Sequence, residues 1–260
     1  MCTVTWRRRP DGYDLLFNRD ELLSRAEADP PAEFERDGVR WLAPTDRDAG
    51  GTWIAVNECG LTFGLLNGIH VPLEPRDYTT RGRIVAELAR NRALAGVRAA
   101  LDRFDPDPYR PFRLLVVAPD RPALVAEWDR ASFRVDVSAE HRRPLVSSSF
   151  DESAVGVARR AEYERVTGHP ATSPPGRSAA EPGLAELLAF HRSTHGGPSA
   201  YTVSMERPDA ATRSFTRIHV NRDDARMIYS SGPPARPGPE SRLRLARSPL
   251  CSSSWSEEGP

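Results

Sequence analysis

The chain has 260 residues, enough to bury a sizeable core in one large domain or two small ones. Lysine plus arginine number 36 and aspartate plus glutamate also 36, so the formal net charge is zero, which argues against nucleic-acid or membrane-surface binding through a field of one sign. Three cysteines without a CxxC argue against a disulfide scaffold or a structural zinc site and fit a reducing cytoplasm, no signal peptide is visible, and the longest apolar run, 114–118, is far too short to span a bilayer.

Residues 2–8 and 13–18 read as two strands around Pro10-Asp11-Gly12, where proline presets the turn and glycine accepts positive φ. Strands are predicted next at 39–42, 52–57 and 61–67, and an apolar face of helical period at 79–104. A second strand set follows at 112–118, 123–128, 132–137 and 144–148. Ser149 and Glu152 are spaced as a capping box opening a helix to about Val166. A loop over 169–183 leads to a short helix at 184–191 and to last strands at 201–205, 214–220 and 226–230. The Pro, Ser and Arg-rich stretch 232–260 reads as a mostly disordered tail behind a single domain, 1–231. Antiparallel strand runs interrupted by a few helices indicate an α+β layered fold.

The first turn also fixes a register. Pairing Arg9 with Gly12, or with Tyr13 across a bulge, sets Cys2 opposite Arg19 or Asp20. Opposed residues have Cβ atoms roughly 4.5–5.5 Å apart, so a thiol, a guanidinium and a carboxylate converge at the open end of one hairpin. A free cysteine titrates near about 8.5, and a neighbouring arginine favours the thiolate. Removal of Met1, which a small second residue normally permits, would give Cys2 the α-amino group as well. That amine has an unperturbed pKa of roughly 7.7–8.0, so one residue would supply both nucleophile and base.

Met1-Cys2 followed by Phe17-Asn18-Arg19-Asp20-Glu21 resembles the NRDE family, also called the TANGO2-like or transport-and-Golgi-organisation-2 family. Gly50-Gly51-Thr52-Trp53 and Thr80-Arg81-Gly82 are similar to further parts of its pattern. The resemblance covers most of residues 1–90 and implies kinship with the N-terminal nucleophile hydrolases of the penicillin V acylase and bile salt hydrolase type, hence a four-layer αββα sandwich. Carried over, it implies Cys2 as nucleophile with Arg19 and Asp20 beside it. It implies Asn67 as an oxyanion-hole residue, and Arg217, in Ser214-Phe215-Thr216-Arg217, as an arginine near the cysteine. The acylases carry a second asparagine where this chain has Ser147, Ser148 and Ser149.

The implied activity is hydrolysis or transfer of an amide-linked acyl group, with no cofactor. The alternative is a non-catalytic carrier or chaperone of haem, an acyl-CoA or another lipid-like ligand in the same cleft, and a third reading is an interaction protein that inherited the fold. His191 and His195 lie four apart, a spacing that suits a metal, but no third ligand is apparent and His195-Gly196-Gly197-Pro198 reads as the end of a helix, so no metal site is expected. His70 reads as a loop histidine, Cys59 as a turn residue, and Arg7-Arg8-Arg9 as a solvated hairpin tip. No Walker-type or dinucleotide glycine motif occurs.

Overall fold

The computed structural model describes residues 2–171 and 181–254. The predicted hairpin forms from β1 (Cys2–Arg9) and β2 (Gly12–Leu22), paired from Arg9↔Gly12 to Cys2↔Arg19. Gly12 is required at the turn, because a Cβ there would lie 2.0 Å from the carbonyl oxygen of Val220.

Two antiparallel sheets stack face to face. Eleven further strands complete them: β3 (Asp29–Arg36), β4 (Val39–Thr45), β5 (Ile54–Asn57), β6 (Thr62–Asn67), β7 (Phe112–Val117), β8 (Leu124–Trp128), β9 (Phe133–Asp136), β10 (Leu145–Ser147), β11 (Ala210–Val220), β12 (Asp224–Ser231) and β13 (Glu240–Ala246). The first sheet runs β10-β1-β2-β11-β12-β13 and the second runs β3 to β9 in chain order. Alternate residues of facing strands fill the space between them: Val4, Trp6, Leu15 and Phe17 from the first sheet meet Ile54, Val56, Leu115 and Val117 from the second.

The outer faces are covered by helices α1 (Gly82–Ala89), α2 (Leu94–Asp102), α3 (Glu152–Thr167) and α4 (Leu184–Arg192). Ile84, Val85, Leu88, Val97 and Leu101 pack on the second sheet. Tyr163, Leu187 and Phe190 pack on the first, around Leu16 and Phe215. The order of layers is helix, sheet, sheet, helix, the αββα sandwich.

Several expectations need correction. The helical stretch 79–104 is two helices. Between them the Asn57 amide donates to the carbonyls of Ala89 and Asn91, both at 2.8 Å, and so caps the end of α1 from inside the sheet. The N-cap of α3 is Asp151, whose carboxylate accepts from the Ala154 amide, and not Ser149. The stretch 201–205 is no strand and contributes only to the approach of an isolated bridge, Glu206↔Ala211. β3 was not foreseen: it is an exposed edge strand carrying Pro30 and Pro31, where missing donors are tolerated.

The stretch 232–260 is not a disordered tail in its described part, because β13 pairs with β12 from Asp224↔Ala246 to Ser230↔Glu240 and buries Leu245. Nor do all three cysteines stay free: Cys251 is disulfide-bonded to Cys59, 192 residues away. The loop expected over 169–183 falls largely outside the described residues, as do 255–260. Among the described residues no helix is long and apolar enough to cross a membrane.

Candidate active site

Cys2 lies in a row of in-register residues on the inner face of the first sheet: Ser147 of β10, Cys2 of β1, Arg19 of β2 and Ser214 of β11. The row ends the inter-sheet core. From it Cys2 and Arg19 line a cleft of about 260 Å³, whose walls also include Asp20, Trp53, Asn67, Arg81 and Arg110.

Strand alternation divides the Asn-Arg-Asp sequence between two faces. Arg19 points inward. Its guanidinium stacks 4.2 Å over the Trp53 ring and donates to Asp46 at 2.8 Å, with Glu21 at 3.5 Å. Arg25 reaches the other oxygen of Asp46 at 2.6 Å. Asn18 turns towards the helices. Its amide donates to the carbonyls of His191 and Val203, and its oxygen accepts from His191 Nδ1 at 2.8 Å. His191 Nε2 then accepts from the Thr5 hydroxyl, also at 2.8 Å. Burial and the Arg159 charge push His191 down to about 3, so this ring is a neutral structural clamp.

Asp20 is held beneath the cleft by Arg159 of α3 at 2.9 Å, with both side chains fully buried, and by the Thr212 hydroxyl at 2.6 Å. The same guanidinium donates to Thr3, the neighbour of Cys2, at 2.6 Å.

Two glycine contacts close the opposite wall. Gly51 and Gly82 touch so closely that a Cβ on Gly51 would sit 2.7 Å from the Gly82 carbonyl carbon, and one on Gly82 would sit 2.7 Å from the Thr52 nitrogen. This contact seats the start of α1 against the segment before β5 and brings Arg81 and Trp53 into one cleft. Gly68 packs likewise on Pro111, whose carbonyl accepts from the Gly68 amide at 2.9 Å and from Arg81 Nη1 at 2.7 Å. Asn67 at the end of β6 and Arg110 beside Pro111 therefore share that wall.

Of the five residues expected in the site, four line the cleft: Cys2, Arg19, Asp20 and Asn67. Arg217 does not. It pairs with Leu16 and lies two residues from Phe215 on the helix-covered face, while its neighbour Ile218 points into the core between the sheets. The expected effect of Arg19 on the thiol is also outweighed. Burial, joined by the Asp20 charge, pushes Cys2 up to about 11 against the opposing Arg19 charge. The resting thiol is protonated.

His191 lies inside the helix–sheet interface and His195 is exposed, so the two histidines do not converge. Arg8 is only partly solvated: it is half-buried and holds Glu140 at 2.6 Å. Trp53, Arg81, Arg110 and Asp46 are cleft residues that were not foreseen. The glycines beside Trp53 and Arg81 carried the signal for the first two, since paired glycines mark close backbone approach.

Residues 1–140 match the family model described as Transport and Golgi organisation 2. No curated protein sequence matches the chain. Among solved structures, penicillin V acylase from Agrobacterium tumefaciens superposes with a TM-score of 0.57 at 13% identity, covering 98% of this chain and 89% of that one. The Caenorhabditis elegans orthologue of N-acylethanolamine-hydrolyzing acid amidase gives 0.54 at 11%, covering 84% and 92%. A mutant of the conjugated bile acid hydrolase from Clostridium perfringens gives 0.52 at 11%, covering 94% and 92%. At such identities these likenesses establish the fold alone, the αββα sandwich described above.

Proposed function

The chain belongs to the Transport and Golgi organisation 2 family, and from that premise we propose that it is a cysteine amidohydrolase acting on a small acyl amide, with Cys2 as nucleophile. One observation carries this reading: the only free cysteine among the described residues stands in register with Arg19 at the mouth of a cleft that also holds Asn67.

A thiol raised to about 11 cannot attack unaided near neutral pH and needs a base. Removal of Met1 supplies it as the α-amine of Cys2, whose ordinary pKa of about 7.7–8.0 suits the task. The amine takes the thiol proton as Sγ bonds to the carbonyl carbon. Asn67 donates to the oxyanion. The C–N bond then breaks, and the α-ammonium returns the proton to the departing amine, leaving a thioester on Cys2. Water, deprotonated by the same amine, attacks the thioester and releases the carboxylic acid and the free thiol. Asp20, fixed by Arg159 and Thr212, lies beneath Cys2 and restrains the ammonium.

The neighbours' names agree with such chemistry: an acylase, an acid amidase and a conjugated bile acid hydrolase. The test is turnover of a panel of N-acyl amides by wild type and Cys2→Ala. The reading expects a loss of several orders of magnitude in the variant. Binding of haem or a long-chain acyl-CoA by both proteins, with no amide turned over by either, would favour the carrier instead.

A further inference from the structure

The charges of the cleft do not cancel locally. It is lined by four arginines, Arg19, Arg25, Arg81 and Arg110, and by three carboxylates, Asp20, Glu21 and Asp46. Asp46 and Glu21 are engaged by Arg19 and Arg25, while Asp20 is engaged from below by Arg159. Arg81 and Arg110 are left with no carboxylate within ion-pair distance among the described residues. Arg81 is half-buried and bonds only a neutral carbonyl, that of Pro111. Arg110 is exposed beside it, with its guanidinium 5.5 Å from the Tyr78 ring.

Bringing two guanidinium groups together in a part-buried cleft is unfavourable unless something anionic joins them. Burial and the Arg110 charge hold Arg81 below the usual arginine range. One further feature of this wall favours a negative group. The indole N–H of Trp53 is buried without a hydrogen-bond partner among the described residues.

We propose that Arg81 and Arg110 form a subsite for an anionic group of the ligand, a carboxylate, sulfonate or phosphate carried a few bonds from the carbonyl presented to Cys2. As a statement about a substrate this rests on the hydrolase reading above; as a statement about binding it stands alone. Two guanidiniums without a carboxylate partner in one cleft suit such groups, and a neutral ligand of the same size leaves them uncompensated.

The experiment is calorimetric binding to the full chain carrying Cys2→Ala, so that nothing turns over. The probes are N-hexanoylglycine, hexyl phosphate and the neutral hexanoyl ethanolamide. At least one anionic probe is expected to bind about tenfold or more tighter than the neutral one, and only the anionic affinity should fall as salt is raised. Adding Arg110→Gln, at an exposed position where folding is not at stake, should remove most of that preference, and Arg110→Lys should restore part of it. The relative strength of glycine conjugate and phosphate ester tells the two chemistries apart. Equal affinity for charged and neutral probes, no binding of any probe, or a preference that survives both Arg110→Gln and Arg81→Gln would overturn the proposal. Anionic preference in a protein that turns over no amide would refute the hydrolase reading and leave the subsite standing. Turnover of amides without that preference would do the reverse.

Discussion

Arg159 sits in the buried stripe of α3, with Val155, Tyr163 and Thr167, where an apolar side chain would ordinarily face the sheet. Its charge is tolerated because Asp20 meets it in a fully buried pair and Thr3 takes a second bond. Arg159→Met should therefore leave Asp20 buried without its counter-charge and lower stability by about 3–5 kcal/mol, read as a melting midpoint lower by roughly 10 °C or more. A midpoint unchanged within a degree or two would show that the pair does not hold Asp20. The thiol gives a second expectation. Its pKa is raised to about 11 in the fold, so the contribution of Cys2 to stability is intact below the unfolded thiol's pKa and is lost as pH rises through 11. Iodoacetamide labelling of the chain with Met1 retained should accordingly stay slow at pH 8 and accelerate towards pH 11. Fast labelling at pH 8 would mean that Arg19 prevails over burial after all.

At the scale of elements, what was legible in the sequence is what local chemistry specifies. Pro10-Asp11-Gly12 sets its own turn, and a turn sets a register, so the opposition of Cys2 and Arg19 could be read before any tertiary contact was known. Asn67 was legible only through the family resemblance, since a strand-end asparagine before a glycine by itself marks no more than a turn. The face of β11 could not be read in this way. Whether Arg217 points to the cleft or to the helices depends on a register shift between Thr212 and Ser214, which no turn residue announces. The split of 79–104 was hidden for a similar reason, since the group that caps α1 is Asn57, on a distant strand. β13 is a different case. Ser241, Leu243 and Leu245 alternate with Arg242 and Arg244, the period of a half-buried strand, and the surrounding Pro and Ser residues masked it. Deleting 232–260 should thus be costly, because it removes Leu243 and Leu245, uncovers the edge of β12 and breaks the Cys59–Cys251 bond. A midpoint fall of more than roughly 8 °C is expected; a truncated chain that melts like the full one would show that β13 contributes nothing.

The first sheet joins strands far apart in sequence, because β2 pairs with β11. The first sheet takes β1 and β2 from the start of the chain and β11 to β13 from its end, and the disulfide ties Cys251 to the turn after β5 in the other sheet. This closure puts Cys2 on an interior strand, paired with β10 on one side and β2 on the other. Pairing over such distances leaves no mark in local spacing, so the fold could be anticipated only from family resemblance and the order of strand and helix runs. The cleft follows from the same closure, since its walls come from strands of both sheets and from the start of α1. The proposed chemistry adds one requirement to this frame, a free α-amine on residue 2. Mass spectrometry of the purified chain, quenched during reaction with an activated N-acyl anilide, tests both halves of that claim together. The account predicts an N-terminal peptide that begins at Cys2 and carries the acyl group as a thioester; an N-terminal peptide that keeps Met1 and gains no acyl mass while the anilide is hydrolysed would contradict it.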